Sequence, residues 1–205
     1  MVREFTFLAV TVLALPSLHS PARARADEPV ARAADQELGV RVGANLNVAG
    51  VGPGGFYVAG SWLYRLTDVL WFDGRAGFTL GGDGAGCSFP VTRAPGCDTQ
   101  VTSGFGVELL AGLRWFVPTQ GQGQGSFAPW IGGGVGGLIA DFSGDDLTGA
   151  GIPLWVAGGV RVRVSNSVAV GGEADLGFGP VHYGKSIGWE GYLDLKVLFG
   201  VEFAL

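Results

Sequence analysis

Charged residues in this chain recur at alternate positions within otherwise apolar stretches, and that spacing limits the chemistry they can do. Arg41, Arg65, Asp73, Arg75, Glu108, Arg114, Arg161, Arg163, Glu173, Asp175, Glu190, Asp194, Lys196 and Glu202 each take the polar parity of a segment whose other parity is apolar. Successive side chains on a β-strand point to opposite faces, so these groups belong to one face of a sheet. Their signs are balanced, which suits a confined interior where an ion stripped of water must find a partner. The expected chemistry is ion pairing. Arg161 and Arg163 stand one short turn away from Glu173 and Asp175, with Asp194 and Lys196 one strand further on, so a connected network across those three strands is expected.

Four other groupings hold residue types that could do chemistry. Cys87 and Cys97 lie in one irregular segment of a chain with a secretory opening, where oxidation is permitted, and read as a disulfide. Closing so small a loop contributes about 3 kcal/mol in the chain-entropy account. Gly132, Gly134 and Gly137 fit G-x-G-x-x-G, but a phosphate cradle needs a strand, a tight turn and a following helix, and no helical pattern follows. These glycines read as a strand that leaves room for bulky neighbours. Asp141, Ser143, Asp145 and Asp146 could gather oxygens, yet the Gly and the distal Glu of the twelve-residue calcium loop are missing. They read as a solvated acidic loop, so no metal or cofactor is expected. His182, Ser186 and Glu190 supply the residue types of a hydrolase.

What positions these residues is a set of strands. The 205 residues hold 38 Gly, 47% hydrophobic and only 15% charged residues. Each interior Gly costs a helix roughly 1 kcal/mol relative to Ala, so the composition argues for an all-β chain. A net charge of −5 offers no basic field, and no nucleic-acid partner is expected. Residues 1–26 read as a signal peptide: Arg3 precedes an apolar run from Phe5 to Leu15, and Ala24-Arg25-Ala26 has the small-x-small form of a cleavage site. Residues 27–37 read as a flexible periplasmic lead-in, and 38–205 as the folded domain. After residue 26 no uninterrupted apolar stretch of about twenty residues exists, which excludes membrane-spanning helices.

Alternation predicts strands over 38–48, 55–66, 69–80, 101–116, 127–139, 153–164, 168–179 and 189–205. The last is the clearest, with Leu193, Leu195, Val197, Phe199, Val201, Phe203 and Leu205 against Glu190, Asp194, Lys196 and Glu202. It runs for about seventeen residues, where strands of soluble sheets usually have ~5–6. The strand over 127–139 shows no clear apolar parity; Ile131, Val135 and Ile139 are expected outward. Tight turns fall at 67–68 and 165–167, a longer one at 117–126, and loops at 49–54, 81–100, 140–152 and 180–188. Short turns at one end and long loops at the other are the asymmetry of outer membrane barrels.

Every strand charge lies on the non-apolar parity, and an Arg or Lys at a lipid midplane would cost about 2–4 kcal/mol. A lipocalin-like soluble barrel would reverse the faces. Strand length, balanced charge and the aromatics Phe56, Tyr64, Trp115, Trp189 and Phe203 near strand ends favour lipid outside. In strand count, turn and loop order, and a closing strand with Phe203 third from the end, the region 38–205 resembles the small eight-stranded outer membrane barrels. That family includes the outer membrane protein A transmembrane domain and the protein X and protein W types.

The resemblance implies a bacterial outer membrane location, contact with outer membrane lipid, and insertion by the barrel-assembly machinery. The expected fold is an eight-stranded antiparallel up-and-down transmembrane β-barrel, monomeric, with a polar, side-chain-filled lumen too narrow for diffusion. The expected role is structural or surface-interacting, with any extracellular ligand held by loops 81–100 and 140–152. A carrier of small or apolar solutes, as in the protein W type, is the alternative, and a lipid-modifying enzyme comes third. Outer membrane lipid A deacylases keep their His and Ser close together on one strand, whereas His182 and Ser186 lie in a loop with Gly184 between them. No catalytic residue is therefore assigned.

Overall fold

The computed structural model describes residues 35–82, 103–118, 125–142, 147–184 and 188–205. The predicted signal peptide, Cys87, Cys97, Ser143, Asp145, Asp146 and Ser186 lie outside the described residues. Nine strand elements form one antiparallel sheet: β1 Gln36–Gly50, β2 Gly55–Arg65, β3 Leu70–Gly82, β4 Ser103–Phe116, β5 Phe127–Phe142, β6 Leu147–Gly151, β7 Leu154–Arg163, β8 Val168–Tyr183 and β9 Gly188–Ala204. Successive strands of the wall pair with one another, and β9 pairs with β1 from Glu37 opposite Ala204 to Gly50 opposite Tyr192. The sheet closes on itself.

β6 and β7 are one wall strand. Leu138 stands opposite Gly151 and Val135 opposite Leu154, so both pieces pair with β5 in a single register, and both pair with β8 in one register as well. The break at Ile152 and Pro153 follows from proline's missing N–H. The ladder nevertheless continues there, with Gly136 N–H donating to Pro153 O at 2.9 Å and Ile152 N–H to Pro180 O at 3.1 Å. The ring therefore has eight strands, as the alternation predicts.

The end that carries both chain ends of the barrel is closed by tight turns. The N–H groups of Leu66 and Thr67 donate to Leu70 O, and Thr67 Oγ1 accepts from the N–H of Leu70 at 3.0 Å. At the second turn Val164 and Ser165 donate to Val168 O. The opposite end, which the loop lengths lead one to expect outside the cell, is taller on one side than the sequence predicts. Two predicted loops prove to be largely strand: Ala140–Phe142 and Leu147–Gly151 pair as a hairpin, and Pro180–Tyr183 continue β8 against β9. The lead-in boundary also shifts, since Gln36 and Glu37 already pair with Tyr64 and Leu63.

The outer face is apolar. Leu38, Val40, Val42 and Leu46 on β1, Leu109 and Leu113 on β4, Ile131, Val135 and Ile139 on β5, and Val197 and Phe199 on β9 are all exposed, Phe199 by 68%. Phe56, Tyr64, Trp115, Trp189 and Phe203 also face outward. Among the described residues no helix is long and apolar enough to cross a membrane; strands supply the crossing surface.

Candidate functional site

The lumen is the part of the barrel with built chemistry, and its charges meet across the interior. Asp73, fully buried on β3, accepts from both Arg75 (2.8 Å from Nη2) and Arg114 of β4 (2.9 Å from Nη2). Arg75 Nη1 reaches Glu173 and Asp175 of β8, each at 3.0 Å. Glu173 also takes Arg41 Nε at 3.1 Å, and Arg41 Nη2 donates to Glu202 at 2.9 Å. Glu202 accepts from Arg114 Nη1 at 2.7 Å and from Arg161 Nη1 at 3.1 Å. Glu37 completes the lower end, bonded to Arg161 and, at 3.1 Å, to Arg163. A second cluster lies nearer the external end: Lys196 Nζ stands 3.2 Å from Glu108 and 3.3 Å from Asp194, and the Tyr57 hydroxyl donates to Glu108.

Register explains why the charges of β7 and β8 pair across the lumen and not with each other. Arg161 stands opposite Gly171 and Arg163 opposite Ala169, while Glu173 faces Gly159 and Asp175 faces Ala157. Each charge is offset from its expected β8 partner, so Arg161 and Arg163 turn to Glu37 on β1 and Glu202 on β9, and Glu173 and Asp175 turn to β1 and β3. The expected three-strand grouping is replaced by a network that joins β1, β3, β4, β7, β8 and β9. Arg65 sits at the lower rim beside Asp68 and contributes nothing to this network.

Aromatic rings fill the space between the ions. The Arg75 guanidinium lies 4.3 Å from the Trp155 ring centre, Arg114 4.0 Å from Trp130, and Arg161 4.0 Å from Phe116. Trp71 packs edge-on against Phe116. Rings and guanidinium groups thus alternate along the lower lumen, each buried contact adding about 0.5–2 kcal/mol to the paired charges. Glycine makes the room: a Cβ on Gly112 would come within 2.6 Å of Trp155 Cζ2, and one on Gly77 within 2.1 Å of the Tyr57 hydroxyl. Gly132, Gly134 and Gly137 lie mid-strand in β5, with no helix after them.

The external mouth has different chemistry. Leu138, Ala140, Phe142, Leu147, Val181, Tyr183 and Tyr192 form a buried cluster on the inner side of the tall wall, with Val51 packed against it. Asp141 and Thr148 belong to the outer parity of the same hairpin, where Thr148 Oγ1 donates to Asp141 at 2.7 Å. His182 faces outward against the Trp189 ring, 5.1 Å between centres. Its neighbour Val181 is fully buried and stands opposite Glu190, so His182 and Glu190 take opposite faces of the sheet.

Glu37, Asn45, Trp130 and the inward tyrosines are site residues that alternation of charge does not single out. Glu37 shares the parity of Arg41, a signal hidden by its place in the expected lead-in. Trp130 lies on the strand with no clear apolar parity.

A closed eight-stranded barrel with an apolar exterior and an ion-paired interior is an outer membrane β-barrel fold. Its likeness to solved structures is of that kind. Over 83% of this chain and 96% of the other, it is similar to Neisserial surface protein A, with a TM-score of 0.56 and 18% identity. The N-terminal β-barrel domain of Pseudomonas aeruginosa OprF matches over 82% of this chain and 96% of the other, at a TM-score of 0.49 and 15% identity. Ail, the attachment invasion locus protein of Yersinia pestis, matches over 82% and 95%, at 0.40 and 12%. No protein-family model and no curated protein matches the sequence.

Proposed function

We propose that this chain is a monomeric bacterial outer membrane protein of structural or surface-interaction type, acting through its external rim and not as a diffusion pore. The observation that carries this is the filled lumen: Asp73, Arg114, Trp155 and Lys196 are each at most 1% exposed, and they occupy the path a solute would take. Residues 1–26 direct export in this reading, and the barrel-assembly machinery inserts the mature chain. The external segments 81–100, stapled by Cys87 and Cys97, and 140–152 offer the contact surface. A hydrolytic role finds no support, since His182 and Glu190 stand on opposite faces. The similarity to a protein named as a surface protein agrees with a role at the rim.

Fractionation tests location: the mature chain should co-purify with the outer membrane and shift in heat-modifiable gel mobility, and recovery as a soluble periplasmic protein would refute the assignment of faces. Binding of the purified barrel to immobilised matrix proteins, glycans and lipopolysaccharide, with and without residues 81–100, tests the rim. Loss of binding on deletion is expected.

A further inference from the structure

The first external connection, predicted simply as a loop over 49–54, goes into the barrel. Gly52, Pro53 and Gly54 are buried, as they could not be on a loop projecting into solvent. Three donors on the lumen wall hold consecutive carbonyl groups of this segment. Tyr183 OH donates to Val51 O at 2.8 Å, Asn47 Nδ2 to Gly52 O at 2.9 Å, and Asn45 Nδ2 to Pro53 O at 2.8 Å. Glycines turn the chain inward at both ends, Gly50 with φ of 77° and Gly55 with φ of 123°, conformations that L-residues with a Cβ rarely adopt. The far wall is cut away to receive it, because a Cβ on Gly106 would stand 2.5 Å from Pro53 Cγ. Val51 completes the apolar cluster of Tyr183, Tyr192, Phe142 and Leu147.

We propose that residues 51–54 are a cork that seals the external mouth of the lumen, separate from the ion network below it. Backbone with small side chains makes a good plug here, because its carbonyl groups satisfy the three wall donors and its narrow profile fits between Gly106 and Tyr192. Lys196 lies just beneath, opposite Asn45 on the neighbouring strand and paired with Glu108 and Asp194. Two barriers therefore stand in series, one apolar at the outside and one ionic further in. The claim is independent of any partner at the rim.

Lys196 reports on the cork, because the whole sequence contains only one other lysine, Lys185, and peptide mapping separates the two. Barrels in lipid vesicles would be treated with a small, water-soluble amine-acylating reagent, with heat-denatured protein giving the unprotected rate. Four proteins are compared: the natural chain, one with 51–54 replaced by a two-residue Asn-Gly hairpin turn, one in which Glu108→Gln and Asp194→Asn remove both ion-pair partners of Lys196, and the two alterations together. Lys196 should be protected in the natural chain and in the one without the two acids, and lose protection in the doubly altered protein. If loss of the two acids alone lets Lys196 label as fast as in the double variant, ion pairing and not the cork protects it, and the proposal fails. It fails equally if the double variant stays fully protected or the natural chain labels at the denatured rate. Should the shortened turn not give a heat-modifiable band, Asn45→Ala with Asn47→Ala removes two of the three latches and leaves the segment's sequence intact.

Discussion

Asp73 is the residue on which the lower network depends most, because it holds two guanidinium groups at once and has no contact with water. Removing one partner of a buried ion pair leaves an uncompensated charge, which costs about 3–5 kcal/mol. Asp73→Asn should therefore lower barrel stability by about that much in urea unfolding from lipid vesicles, and Arg114→Met in the same chain should recover part of it, since Glu202 keeps Arg41 and Arg161 as partners. A double-mutant cycle should give a coupling energy of ~1 kcal/mol or more. Strictly additive losses would mean that these ions are separately hydrated. Gly112 makes a second test, since its missing Cβ is the space occupied by Trp155 and it also faces Gly133 O, 2.3 Å from where a Cβ would stand. Gly112→Ala should destabilise by about 1–3 kcal/mol, the usual cost of overpacking, and relieving the crowding with Trp155→Leu should return part of the loss. If Gly112→Ala unfolds at the same urea concentration as the natural chain, the close fit between these strands has no energetic weight.

At the scale of the element, the outward face of β5 changes character near its upper end. Its outward residues run Ile131, Val135, Ile139 and then Asp141, while its inward ones run through glycines to Leu138, Ala140 and Phe142. The outward parity turns from apolar to polar along one strand, so lipid is expected against the lower outer face and water against the upper. An Arg on the lipid face costs about 2–4 kcal/mol at the midplane and ~0–1 near the interface. Val135→Arg should therefore reduce folding into vesicles sharply, and Thr148→Arg, on the outward face of the hairpin above, should change it little. Equal losses at the two sites would put the hairpin inside the bilayer. The same change of the outward parity explains what is and is not legible in the sequence. Strands with a constant rule along their length, such as β9 with Leu193 to Phe203 outward and Asp194 to Glu202 inward, are legible in both facing and span. The 140–152 segment is not, because Asp141, Asp145 and Asp146 have the composition of a solvated loop although Asp141 is the wet side of a paired strand. Glu37 escapes for a related reason, as two residues beyond the last apolar position carry too little alternation to mark a strand. The choice of ion partners is out of reach altogether, since it depends on register offsets such as Arg161 opposite Gly171.

For the whole molecule, closure of the ring and filling of its interior have one joint consequence. β9 pairs with β1 along nearly the full height of the wall, so the sheet presents no free edge, and the side chains pointing inward have nowhere to go but one another. Ions, rings and the inward-folded first connection occupy the axis in turn: Glu37 with Arg161 and Arg163, then Asp73 with Arg75 and Arg114 between Trp130 and Trp155, then Lys196 with Glu108, then residues 51–54 beside Tyr183 and Tyr192. A current would need several of these layers to part together, each at the cost of a buried pair or an apolar contact. Purified protein reconstituted in planar bilayers should accordingly give no steady single-channel conductance, at neutral pH and moderate salt. Since neighbouring layers share Glu173, Arg75 and Glu202, a single neutralisation such as Glu173→Gln should loosen the lower lumen while the upper layers still block it. Large, steady currents from the unaltered barrel would overturn the closed lumen and shift the functional reading to a solute carrier. Currents that appear only after both the ion network and the first connection are altered would show that closure belongs to the stack of layers, not to any one of them.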